Sequence, residues 1–255
     1  MNPKIVFYNP RSNSSGKRIL PMSLLALGAV LPHYDWSIVD GNAVDDPANA
    51  IREQVYAGAN VLAVTVMPGP QLARAVPHCR ALKAEFPNLV IVWGGYFPTQ
   101  HADICLKSPF VDFVVRGHGE IVFRDLMDAL AGGSSSATLV GLGYRDETGA
   151  TVLNPLAPIP HPDRLPDWNY DRIEMSQYLR NTFLGSRTLP HHSSYGCPFF
   201  CNVCAVVNMV NGRWLAQSAG RVAEIVSGLA AGDQVVLHPS DRIAEGTRVN
   251  ARQTQ

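Results

Sequence analysis

The sequence predicts an α/β fold whose first part is a doubly wound five-stranded parallel sheet, and three observations carry that prediction. Short runs rich in β-branched and aromatic residues occur at Lys4–Tyr8, Asp35–Val39, Val61–Val66, Leu89–Trp93 and Asp112–Val115. Amphipathic stretches separate or follow them at Met22–Leu31, Ala48–Ala57, Gln71–Phe86, Thr99–Lys107 and Glu120–Ala131. Strand onsets about 25–30 residues apart match the length of a βα unit.

Each element has its own justification. The strand runs are mostly too apolar for a half-exposed strand, as expected when helices cover both faces of a parallel sheet. Gly132-Gly133-Ser134-Ser135-Ser136 is a flexible break that closes a first domain, 1–133. In 134–186, Val140–Arg145 and Ala150–Leu153 flank Asp146-Glu147-Thr148-Gly149 as a small hairpin. Pro155, Pro158, Pro160, Pro162 and Pro166 then exclude a regular element and predict an extended linker packed over a neighbour. Arg187–Tyr195 is expected to be a strand that delivers its end to Gly196-Cys197 and opens a further domain, 187–227.

Composition narrows the class of function. Of 255 residues, 46% are apolar, and 21 basic residues balance 21 acidic ones, so charge gives no reason to expect nucleic acid as a partner. The longest apolar stretch, Ile19 to Leu31, is interrupted by Pro21 and is too short to span a bilayer. No signal peptide is visible, which leads to the expectation of a cytoplasmic protein. Five cysteines, three of them within eight residues, point to metal or cluster ligation rather than a disulfide framework. Cys79 and Cys105 are expected to be buried structural thiols in helices.

Cys197-Pro-Phe-Phe-Cys201-Asn-Val-Cys204 carries the chemistry. Three thiolates at this spacing on one loop can hold three corners of a cubane cluster and leave one iron open. A zinc site with His191 or His192 as fourth ligand, and metal-free structural thiols, are the alternatives. Both histidines are otherwise expected to be strand residues.

With its Tyr195-Gly196-Cys197-Pro198 entry, this loop resembles the radical S-adenosylmethionine superfamily and its cobalamin-dependent branch. Val203 stands where that family usually has an aromatic residue. The resemblance covers about residues 3–220. It implies that Cys197, Cys201 and Cys204 hold a 4Fe-4S cluster whose open iron takes S-adenosylmethionine for reductive cleavage, with methyl transfer to an unactivated carbon as one outcome. It also implies an electron donor such as flavodoxin or ferredoxin. It further implies a small-molecule or lipid-like substrate.

The loops after the strands complete the resemblance. Gly94 and Gly95 end one strand just before Thr99, and Arg116-Gly117-His118-Gly119-Glu120 repeats the device after the next. Paired glycines allow close approach of backbone to a bulky ligand, although each pair alone also suits a plain βα turn. With Asn9-Pro10 and Thr65, they resemble the branch's cobalamin-binding domain, with His118 in place of a usual glutamate. The implied corrinoid-binding residues are Asn9, Thr65, Gly94, Gly95, Thr99, Arg116, Gly117, Gly119 and Glu120. The nucleotide tail would lie between sheet and helices, with the cobalt facing the radical domain. No D-x-H-x-x-G motif occurs, so no histidine ligand to cobalt is expected.

The residues after Cys204 are too few for a whole (β/α) barrel, so an incomplete one is expected. Residues 228–253 resemble instead the C-terminal segment of efflux-pump periplasmic adaptors. A non-catalytic fragment that binds cobalamin or the cluster, arising by truncation or gene fusion, is therefore the alternative to a working enzyme.

Overall fold

The structure, a computed structural model, describes residues 2–12, 18–183, 185–210, 212–222 and 234–237. Its centre is a sheet in which β1 (Lys4–Asn9), β2 (Asp35–Asp40), β3 (Val61–Thr65), β4 (Val90–Gly94) and β5 (Phe113–Val115) run parallel. The strand order is β2-β1-β3-β4-β5, so the winding reverses between β1 and β3. In such sheets ligands bind at the carboxyl ends of the strands near the reversal.

Period-two alternation sorts the side chains to the two faces. Ile5 and Phe7 of β1 pack with Ala63, Val92 and Val115 against α1 (Met22–Ala29) and α6 (Glu120–Gly132). Val6 and Tyr8 point the other way, with Leu62, Val64, Ile91 and Trp93. That face is covered by α2 (Pro47–Tyr56), α3 (Pro70–Glu85), α4 (Tyr96–Gln100) and α5 (Ala102–Leu106). Cys79 and Cys105 are both buried there, as the sequence led us to expect, and burial pushes each thiol up to about 12. Trp93 Nε1 donates to Cys79 Sγ at 3.4 Å.

Three elements differ from expectation. First, the hairpin of β6 (Leu142–Arg145) and β7 (Thr151–Leu153) is not a satellite. It pairs antiparallel with β5 and extends the sheet from five strands to seven. Arg145 Nη1 secures it by donating to the carbonyls of Leu106 (2.5 Å) and Val111 (2.7 Å). Second, the single helix expected over Thr99–Lys107 is two, because His101 leaves the helical region at φ −129° and separates α4 from α5. Third, the strand expected over Arg187–Tyr195 is divided. β9 (Gly185–His191) pairs with β8 (Arg180–Thr182) and β12 (Gln234–Leu237), whereas β10 (Ser194–Gly196) pairs with β11 (Trp214–Ala216). His191 lies in the strand and is buried, with Nε2 3.0 Å from Gln217 Oε1, and His192 lies just beyond it.

The proline-rich passage holds short 3₁₀ turns and returns over the first sheet. Tyr178 donates to Asp40 Oδ2 (2.9 Å), and the Arg172 guanidinium lies 4.9 Å above the Trp36 ring. Apart from β12, the adaptor-like tail at 228–253 lies outside the described residues. No described helix is long and apolar enough to cross a membrane.

Candidate cofactor site

A cavity of about 150 Å³ opens at the carboxyl ends of β3, β4 and β5, between the sheet and the α1–α6 pair. Its walls are mostly apolar, from Leu24, Leu27, Val92, Val115 and Phe123, with backbone supplied by Gly94, Gly95, Gly117 and Gly119. Such walls suit a flat apolar group, with polar atoms confined to a few side chains. Thr65 and Glu120 line it with Ser23 and His118.

The glycines are there for space. Gly95 sits at φ +95° and ψ −163°, a region essentially restricted to glycine, and a Cβ would lie 3.1 Å from Thr65 Oγ1. A Cβ on Gly119 would come within 3.2 Å of Val115 and 3.3 Å of Leu27, narrowing the same cavity wall. Thr99, which is buried, ties the two glycine loops together. Its hydroxyl donates to Gly95 O (2.7 Å) and accepts from Gly117 N (3.0 Å).

The mouth of the cavity is connected to the cysteine loop. The ring of Tyr195 on β10 lies 4.7 Å from that of His118, which lines the cavity. Burial and, after it, the nearby Glu120 carboxylate raise the Tyr195 pKa, so the phenol keeps its proton. Burial lowers His118, opposed by the charge on Glu120. Cys197 follows two residues later and donates its N–H to Arg213 O (3.0 Å), while Gln100 of α4 donates to Ala205 O (3.1 Å). The thiol residues are half-buried at Cys197 and exposed at Cys201 and Cys204. Among the described residues no three histidine, cysteine or acidic side chains are gathered closely enough to hold a metal ion.

The family model of the B12 binding domain matches residues 11–127. The first domain is a B12-binding domain.

Relatives extend the likeness beyond it. An uncharacterized methyltransferase of Pyrococcus horikoshii is 29% identical over 88% of this chain and 50% of its own length. An anaerobic magnesium-protoporphyrin IX monomethyl ester cyclase of Synechocystis is 29% identical over 79% of this chain and 42% of its own. This chain thus spans about half or less of the curated relatives it matches. The fold is that of OxsB, a cobalamin-dependent S-adenosylmethionine radical enzyme (TM-score 0.71, 18% identity, 88% of this chain, 31% of that one). It is also that of the radical S-adenosylmethionine methyltransferase TsrM of Kitasatospora setae (TM-score 0.66, 18% identity, 93% and 48%).

Within the B12-binding domain, the residues expected to hold the corrinoid separate into two groups. Thr65, Gly94, Gly95, Gly117, Gly119 and Glu120 line the cavity, and Thr99 braces it from behind. Arg116 turns away. Its Nη1 donates to Asn154 O (2.7 Å), and its backbone N–H to Gly141 O (2.9 Å), which anchors the hairpin and linker. Asn9 is committed elsewhere, donating to Asp40 Oδ1 (2.9 Å) and accepting from Gln71 Nε2 (2.9 Å) at the ends of β1 and β2. Ser23, Leu24, Leu27 and Phe123 were missed, because helical periodicity shows which face of α1 or α6 is apolar but not where the two helices part.

Proposed function

We propose that the chain is the corrinoid-binding and cluster-binding part of a cobalamin-dependent radical S-adenosylmethionine methyltransferase. The observation that carries this reading is the Tyr195–His118 ring contact, which joins the wall of the B12 cavity to the start of the cysteine loop. The fit to cobalamin rests on the apolar cavity and the glycine backbone around it, suited to the flat base of the nucleotide tail. The fit to a cluster rests on the donor set, three thiols spaced along one loop. Phe199, Phe200 and Val203 beside them are exposed, an apolar collar of the kind a partner surface or bound molecule covers.

In this reading Cys197, Cys201 and Cys204 would hold a 4Fe-4S cluster, the group that would bind S-adenosylmethionine. The bound groups supply an electron to cleave the sulfonium and a methyl carrier. This chain's own residues hold the corrinoid tail at Gly94, Gly95, Gly117 and Gly119 and set the cysteine loop beside it. A low-potential donor such as flavodoxin or ferredoxin and a reducing, cytoplasmic setting follow from the cluster.

The test is anaerobic reconstitution of the full chain with iron, sulfide and methylcobalamin, followed by electron paramagnetic resonance and an assay for deoxyadenosine. A reduced cluster signal that changes on adding S-adenosylmethionine, with deoxyadenosine formed, is the expected outcome. Cluster and cobalamin bound without cleavage would leave a binding module. A single tetrahedral zinc in place of the cluster would overturn the radical chemistry.

A further inference from the structure

A second cavity, of about 210 Å³, lies between the segment that enters α1 and the small sheet of β8 and β9. Ile19 and Leu20 wall it on one side, and Arg180, Thr182, Thr188 and Pro190 on the other, and Tyr178 also lines it. It shares no lining residue with the first cavity. The register explains the second wall. β8 and β9 are antiparallel with Arg180 opposite Thr188, so the two side chains fall on one face of the sheet. Pro190 joins them by period two, and Thr182 Oγ1 lies 2.9 Å from Thr188 Oγ1.

The polar groups of this lining are committed, with one exception. Tyr178 donates to Asp40 Oδ2, and the same carboxylate accepts from Asn9 Nδ2 and from N and Nδ2 of Asn42. The threonine hydroxyls pair with each other. Arg180 donates Nε and Nη2 to the carbonyl of Arg18. Its Nη1 makes no hydrogen bond among the described residues, and no described carboxylate forms an ion pair with it.

A half-buried guanidinium without a counter-charge, in an otherwise apolar cavity, selects an anion. The space far exceeds the ~10–15 Å³ that one water needs, and an ordered water would lack the several polar partners that hold it. A single cation among apolar walls suits a single negative charge better than a strongly hydrated phosphate. The free edge of the planar guanidinium matches a carboxylate, which accepts parallel N–H bonds. We propose that this cavity binds a small, mostly apolar carboxylate, its carboxyl group on Arg180 and its chain against Ile19, Leu20 and Pro190. The site is independent of what fills the first cavity. Its ligand touches the approach to α1 on one side and, on the other, the strand that leads toward the cysteine loop.

Titration of the full chain with hexanoate and with 1-hexanol, followed by calorimetry and by amide hydrogen exchange, tests this. Hexanoate is expected to bind at one site about tenfold or more tighter than the alcohol, as a hydrogen bond between charged groups allows. It should slow exchange over residues 18–22 and 178–189 and leave 94–99 and 117–123, around the first cavity, unchanged. Arg180→Met, which keeps the length and drops the charge, should lose the preference for the acid. Arg180→Lys, which keeps the charge, should retain part of it.

Equal affinity for acid and alcohol would overturn the role of the cation, and no binding of hexanoate would overturn the site. Slowed exchange around the first cavity in place of the second would overturn the location. Undiminished hexanoate affinity in Arg180→Met would remove Arg180 from the account. That variant also loses the bonds to Arg18, so the acid-to-alcohol ratio and the exchange map, both taken on the unaltered chain, decide the matter without it.

Discussion

At the scale of single residues, the cavity depends on atoms that are absent and on one hydroxyl. Gly95→Ala is expected to cost about 1–3 kcal/mol, because φ +95° with ψ −163° is a glycine region and the new Cβ would meet Thr65 and Val66. Urea unfolding measures this, and cobalamin titration should show weaker binding in the same variant. Thr99→Val keeps the shape but leaves Gly117 N–H without its acceptor, an expected loss of about 1–3 kcal/mol. His118 gives a pH dependence. Burial lowers its folded pKa below the ordinary 6.5, so the unfolded chain takes up the proton first. Stability present above the unfolded value is therefore lost as pH falls through the folded one. The urea midpoint should drop between about pH 7.5 and about pH 5.5, and drop less in His118→Asn. Burial lowers His78 too, so the comparison between the two proteins isolates His118.

At the scale of elements, the hairpin closes an edge. β6 covers β5, whose central position depends on that antiparallel pairing, and Arg145 bonds the hairpin to the carbonyls around α5. A chain ending at Gly133 would expose the β5 edge with its row of unpaired backbone groups. Light scattering should show it associating at concentrations where the full chain does not. Arg145→Ala should destabilise the full chain by about 1–3 kcal/mol, read by urea unfolding, because at least two carbonyls lose a charged donor. The five parallel strands were legible because continuous apolar runs and a βα spacing have few other solutions. The hairpin was legible as a hairpin from Asp146-Glu147-Thr148-Gly149, but nothing in its own residues names the edge it joins. The break at His101 was not legible, since α4 and α5 both carry residues that a continuous helix tolerates.

At the scale of the whole molecule, the B12-binding domain and the strand that leads to the cysteine loop meet where Tyr195 packs on His118. A ligand bound only by the folded chain stabilises it by about 2.7 kcal/mol at a hundred times its dissociation constant. Methylcobalamin should therefore raise the thermal midpoint of the full chain, and the rise should shrink in Gly95→Ala. Alanine at Cys197, Cys201 or Cys204 should abolish iron incorporation on reconstitution while leaving cobalamin absorption intact, because the loop is separate from the cavity wall. Retained iron in all three variants would remove the cluster from the account.

The sequence alone determined the α/β class, the five parallel strands, the B12-like glycine loops and the thiol spacing, because each is a local property of adjacent residues. Tertiary structure decided which of them meet. It placed Thr65, the glycines and Glu120 around one cavity, turned Arg116 toward the linker, and committed Asn9 to Asp40 and Gln71. It also brought Tyr195 onto His118, 77 positions earlier in the chain, a contact set by how β10 folds back over the sheet. The physical reason is that periodicity records burial, whereas partners depend on the packing of elements distant in sequence.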